Sequence, residues 1–303
     1  MTDDDGQQPT GPREVVVAGA SFLVAPDASR SGIWGPMADG SWEPETVEAV
    51  AALAAPGARV VDIGAWVGPV TLLAGALGAE VRCYEPDPVA RAELESNLAG
   101  NDFADRVEVV GAALGTAAGH LELHSGELGD SMSSLVRTSA GGASTTVEVR
   151  DVVAESTAAG FGDATLVKMD VEGLEFALVP ALVPALGPAP PDLLLSTHGY
   201  PSTERARGWL PEALRRVTPV SRAWNLLARL VLGPLLLVVP QVRLARALRV
   251  YPHRFVAERN GGRWRPVRRS DLVRQLLAPP RSAEFWCSTV DRAAGPAAGG
   301  RVR

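Results

Sequence analysis

At 303 residues, 46% of them hydrophobic and 21% charged, the chain is long enough for one large α/β domain or for a domain with an appendage. Its two cysteines, Cys83 and Cys287, exclude a disulfide framework and a Cys-rich metal site. The net charge of −6 conceals a split: residues 1–200 hold 9 basic and 29 acidic side chains, residues 201–303 hold 20 and 6. An acidic body and a basic end either complement each other or leave the arginines to steer an anionic ligand.

The start, MTDDDGQQPTGPR, is acidic and polar where a signal peptide needs a basic and then an apolar region, so a cytoplasmic protein is expected, with residues 1–13 a disordered tail. Val15–Val24 reads as a small strand, and Trp34 and Trp42 sit in a Gly/Pro-rich lead-in as core plugs or pocket walls. A helix follows over Pro44–Ala54. Val60, Val61 and Ile63 form an apolar β-branched run, broken by Gly64 and Gly68, and Pro69 opens a helix. Glu80–Glu85 is the next strand, followed by a helix opened by Pro86-Asp-Pro, and then by a strand over Arg106–Val110.

Residues 112–150, rich in Gly, Ser, Thr and Ala, read as a loop-bearing insertion over the site, with short strands at Leu121–His124 and Thr146–Val149. Ala164–Asp170 and Asp192–His198 are further strands, each followed by a helical pattern, from Glu172 and over Thr203–Val217 respectively. Residues 221–250 are the most apolar part; Gly233-Pro234 and Pro240 divide them into two short helices, read as a cap on the substrate side, with contact to a membrane surface as the alternative. Residues 251–291 supply the last strands, at His253–Glu258 and Ala283–Ser288, and 292–303 form a loose tail. The core thus spans 14–220 and 251–291. The β-α alternation predicts a doubly wound, mostly parallel Rossmann-like sheet with helices on both faces.

Ligands of such sheets gather at the carboxyl ends of the strands, where Asp62, Glu85, Asp170 and His198 all fall. Gly64-Ala-Trp-Val-Gly68 has no glycine at position 66, where a G-x-G-x-x-G dinucleotide loop needs one, and lacks the lysine of a P-loop, so it is poor for pyrophosphate. Asp62 instead suits a ligand with positive charge. Glu85, 23 residues beyond Asp62, is placed to accept hydrogen bonds from ribose hydroxyls. Lys168, the sole lysine, shares a strand side with Asp170 and needs a carboxylate partner if buried. His198 is the candidate general base, because histidine titrates near neutrality. Asp170, Glu172 and His198 have the donor types of a divalent-metal site, although no metal is assigned.

These pieces resemble one family. VVDIGAWVGPVTLLA, CYEPDPVA, NLAGN and above all LVKMDVEGLEFALV are similar to the FkbM-family methyltransferases, class I enzymes that use S-adenosylmethionine (SAM), over roughly residues 32–200. The resemblance implies a seven-stranded sheet and a SAM loop made of Asp62, Gly64, Ala65, Trp66 and Gly68. It implies that Glu85 holds the ribose, that Pro86 and Asp87 shape the adenine side, and that Asp170 and Glu172 stand beside the transferred methyl. Trp66 departs from the asparagine common in the family, and Thr197 from the glutamate often found before the histidine. The function expected is O-methylation of a sugar or secondary-metabolite hydroxyl, with an anionic small molecule as one form of acceptor. The alternatives are a non-catalytic SAM-binding module and a methyltransferase acting on nucleic acid. No Asn-Pro-Pro-aromatic tetrapeptide follows Ala164–Asp170, which disfavours methylation of base amino groups.

Overall fold

The computed structural model describes residues 11–26, 32–125, 143–198, 233–257, 264–277 and 283–291. Instead of one strand, Val15–Val24 is most of a hairpin of β1 (Arg13–Val17) and β2 (Ala20–Val24). The chain reverses at Ala18 and Gly19, with φ of 50° and 80°; two consecutive left-handed residues match the strand twist of a tight hairpin. Helices α1 (Trp34–Asp39) and α2 (Pro44–Leu53) follow.

The central sheet contains β3 (Arg59–Ile63), β4 (Glu80–Tyr84), β5 (Val107–Val110), β9 (Leu166–Met169), β10 (Asp192–Thr197), β11 (His253–Ala257), β12 (Trp264–Pro266) and β13 (Ala283–Ser288). Their order is β12-β11-β13-β10-β9-β3-β4-β5. The five strands from β5 to β10 are mutually parallel, while β13 pairs antiparallel with both β10 and β11. This is the doubly wound sheet expected, with β12 as an eighth, edge strand. The winding reverses between β3 and β9, which makes their carboxyl ends the place for a ligand.

Alternation along the strands feeds two cores. Val60, Val81, Cys83 and Leu194 pack with α2, α3 (Pro69–Ala76), α4 (Pro88–Ala99) and the hairpin. Val61, Ile63, Val167, Leu193 and Leu195 pack on the other face, against α6 (Glu175–Ala185), α7 (Gly233–Ala247) and α8 (Leu272–Leu277). Burial on both faces is why these strands read as continuous apolar runs.

Two expectations change. The helix starting at Gly233 continues through Pro240 as one element and buries Leu244 and Ala245 in the second core. The described part of the apolar segment is therefore a layer of the domain, not a cap; residues 221–232 lie outside the described residues, as does the helix expected over Thr203–Val217. The described part of the 112–150 insertion is a three-stranded sheet, with β8 (Ala143–Asp151) between β6 (Ala113–Gly115) and β7 (Gly119–Ser125), so that the expected strands at Leu121–His124 and Thr146–Val149 lie within β7 and β8 and β6 joins them. Helix α5 (Val152–Ala158) returns the chain to the core. Residues 126–142, 1–10 and 292–303 also lie outside the described residues.

Candidate active site

Three residues in the turn between β3 and α3 have left-handed backbone: Gly64 at φ 85°, Trp66 at 50° and Gly68 at 98°. A Cβ on Gly64 would lie 1.8 Å from the carbonyl oxygen of Asp170, and one on Gly68 would lie 2.4 Å from Leu94 Cδ1. Both glycines therefore admit close-packed neighbours within the protein itself. Trp66 bears the left-handed strain that an asparagine would tolerate more readily. The Gly64 and Ala65 amides donate to Tyr84 O at 3.0 and 3.1 Å, which folds the loop over the end of β4.

Glu85 secures this fold from the next strand. Its Oε2 accepts the Trp66 amide at 2.7 Å and its Oε1 the Asp87 amide at 2.8 Å. Burial pushes its pKa up to about 7, with those two amides opposing the shift. Each carboxylate oxygen keeps a lone pair for a further donor. Asp87 is turned away: its Oδ1 caps α4 by accepting the Val89 and Ala90 amides.

Asp62 lies behind the cleft with no exposed surface. Thr71 Oγ1 donates to its Oδ2 at 2.8 Å, and Lys168 Nζ stands 3.6 Å from its Oδ1. Burial pushes the Asp62 carboxyl above its ordinary range, against the pull of Lys168 and Thr71. The Lys168 ammonium donates to Gly64 O at 3.1 Å and lies 3.7 Å from Asp170 Oδ2. Burial opposes its charge, but Asp62, Asp170, Glu43 and Glu284 together hold its pKa above the usual lysine value. The partner expected for this lysine is therefore a group of carboxylates. Glu284 itself is pushed up to about 8 by burial and by Glu43 and Asp170.

The opposite wall rises from the end of β9 and the end of β10. His198 Nδ1 is 3.1 Å from Glu175 Oε1 and 3.6 Å from Asp170 Oδ1, and Nε2 is 3.3 Å from Glu172 Oε1. Burial favours the neutral ring, yet Glu175, Asp170 and Glu172 push its pKa up to about 9. The carboxylates thus favour the protonated ring over the neutral form that the general-base role expected from the sequence requires at pH 7.

A cleft of about 260 Å³ joins these groups. Of the residues singled out in the sequence, Gly64, Ala65, Trp66, Glu85, Pro86, Asp170, Glu172 and His198 line it, whereas Asp62, Gly68 and Asp87 do not. Trp42 is a cleft wall, and Trp34 is a core residue packed edge-on against Phe22. Two acidic residues escaped the sequence reading. Glu43 faces the cleft at a left-handed φ of 34°, set between Trp42 and Pro44. Glu175, fully buried, reads in sequence as an ordinary first-turn helix acid. No arginine is among the described lining residues, so nothing in the described wall serves an anionic ligand beyond Lys168 and His198.

The sheet order, the glycine turn after β3 and the acid ending β4 make this a doubly wound, Rossmann-like fold. No family model and no curated protein matches the sequence. Among solved structures, the chain is similar to the methyltransferase FkbM from Methylobacillus flagellatus, at 22% identity over 48% of this chain and 33% of that one, with a TM-score of 0.32. It is similar to cofactor-bound Rv0187 from MTB (14% identity, 83% and 82% covered, TM-score 0.37). It is also similar to a SAM-dependent O-methyltransferase from Thermotoga maritima (14% identity, 83% and 67% covered, TM-score 0.38). The match spans about a third of the length of the first of these. The strand order, not these superpositions, identifies the fold.

Proposed function

We propose that this chain is a SAM-dependent methyltransferase that transfers a methyl group to a hydroxyl of a sugar or secondary-metabolite acceptor. One observation carries the reading: a buried ribose-type acid, Glu85, shares a single cleft with an acid-lined wall of Asp170 and Glu172 at the switch point of the sheet. The residues present fit the cofactor. Glu85 retains lone pairs for ribose hydroxyls, and Ile63, Tyr84, Ala112 and Leu114 give the same cleft an apolar lining suited to a purine face. Glu43, Asp170 and Glu172 outnumber Lys168 and His198 along the remaining wall, which favours a sulfonium and an ammonium over a phosphate.

When bound, SAM supplies a methyl group already activated on sulfur. The chain has to hold the acceptor oxygen in line with that carbon, exclude water and receive a proton. Methyl transfer from the bound sulfonium would release a neutral thioether, and the acceptor's hydroxyl proton would pass to a wall carboxylate, for which Asp170 is held in place by Lys168. The same acid excess disfavours a nucleic-acid acceptor, whose phosphates it would repel.

Calorimetry with SAM and with S-adenosylhomocysteine tests the cofactor assignment. Micromolar binding is expected, weakened about tenfold to a hundredfold in Glu85→Ala through loss of charge-assisted hydrogen bonds. Equal affinity in the variant would overturn the site. Binding without S-adenosylhomocysteine formation across a panel of hydroxylated acceptors would favour the non-catalytic module.

A further inference from the structure

We infer that Asp170, Glu175 and His198 form a site for one divalent cation at the edge of the cleft. One ligand atom from each lies within 4.8 Å of the other two, and His198 Nδ1 is 3.6 Å from Asp170 Oδ1 and 3.1 Å from Glu175 Oε1. Bonds of about 2.0–2.2 Å to a transition metal place ligand atoms about 3–4.4 Å apart, so small shifts close these three around an ion. The set differs from the one suggested by sequence. Glu172 lies on the far side of the imidazole, where Nε2 is 3.3 Å from its Oε1. That contact can hold one ring proton on Nε2, so that an arriving ion displaces only the proton on Nδ1, the nitrogen that faces Asp170 and Glu175, giving the carboxylate–histidine–metal arrangement.

Glu175 is prepared in the same way. Its carboxylate accepts the amides of Val171 at 3.3 Å and Gly173 at 3.0 and 3.1 Å, so a buried side chain is fixed before any ion arrives. Three carboxylates surround one imidazole, and a single ring proton leaves their charge largely uncompensated. A dication replacing that proton balances it. Asp170, Glu172 and His198 line the cleft while Glu175 sits behind them, so the coordination positions left open face the ligand space. Two carboxylates with one imidazole suit Mn²⁺, Fe²⁺ or Zn²⁺. Resting on the methyltransferase reading, the ion would take the acceptor's oxygen and ease loss of its proton.

The test uses the full chain freed of metal by a chelator. Mn²⁺ is titrated in while the signal of the free ion is followed by electron paramagnetic resonance. One Mn²⁺ per chain is expected, with affinity reduced about tenfold or more in Asp170→Asn, Glu175→Gln and His198→Ala, and unchanged in Glu122→Gln, an exposed acid on β7. If Glu175→Gln fails to fold, the other two variants decide. No binding, or weak binding that all the variants share, overturns the site. SAM calorimetry on the same metal-free protein separates the two readings: Mn²⁺ binding without SAM binding keeps the metal site and removes the methyltransferase, and the converse removes only the metal site.

Discussion

Glu85 does two tasks with one carboxylate, and its protonation couples them. It fixes the loop through the Trp66 and Asp87 amides and offers its remaining lone pairs to the cleft. Burial raises its pKa from 4.5 to about 7, so the group is protonated below pH 7 and charged above it. The folded state holds that proton more tightly than the unfolded chain, so Glu85 costs stability increasingly as pH rises from 4.5 to about 7. Ligand hydroxyls favour the charged form, so SAM affinity should fall about tenfold from pH 8 to pH 6. Calorimetry at the two pH values checks this, and Glu85→Ala should flatten the dependence. Asp62 acts differently because it never reaches the cleft. Asp62→Ala strips Lys168 of a partner and leaves the Thr71 hydroxyl unpaired, at a cost of about 3–5 kcal/mol. A large drop in melting temperature should accompany any loss of SAM affinity, and Asp62→Asn should recover part of both. A loss of affinity at unchanged melting temperature would instead make Asp62 a direct ligand contact.

At the scale of elements, the junction of β10 with β13 carries the C-terminal segment. Asp192 opens β10, and its carboxylate accepts Trp286 Nε1 at 2.9 Å and Ser288 Oγ at 2.7 Å, all three residues being buried. Register alone would place β13 beside β10; these two bonds fix the ring of Trp286 against Phe255 and Trp264. Asp192→Ala leaves two buried donors without an acceptor, each worth about 1–3 kcal/mol. The melting temperature should fall by roughly 5–10 °C, measured by differential scanning calorimetry, with SAM affinity preserved because the cleft lies at the opposite end of the strand. A variant as stable as the parent would mean that water replaces the carboxylate.

For the whole molecule, the described part of the basic end is woven into the acidic body. Strands β11 and β13 close the sheet beside β10, whose six residues are all buried. Ending the chain after Val250 would expose that strand as a long apolar edge and remove Phe255, Phe285 and Trp286 from the two cores. The shortened chain should aggregate or unfold without cooperativity, as seen by size-exclusion chromatography and thermal melting. A monomeric, cooperatively melting product would show the segment to be an appendage. Among the described residues no helix is long and apolar enough to cross a membrane.

Sequence by itself determined the parts whose signal is local. Short, largely apolar segments running up to Asp62, Glu85, Asp170 and His198 announce parallel strands with polar carboxyl ends, because a strand buried on both faces is polar chiefly near the point where it leaves the sheet. The glycines around Trp66 marked the turn for the same reason, since φ beyond zero is a property of single residues. Tertiary structure alone decided the rest. Which carboxylates meet Lys168, and that Glu175 and not Glu172 joins Asp170 at His198 Nδ1, depends on strands and turns that pack side by side far apart in sequence. The antiparallel insertion of β13 between β10 and β11 depends on pairing across about ninety residues, and no periodicity within either strand records its partner. The raised pKa of His198 follows from the same packing: three carboxylates close around one ring favour its charged form, and residue type alone could not reveal that.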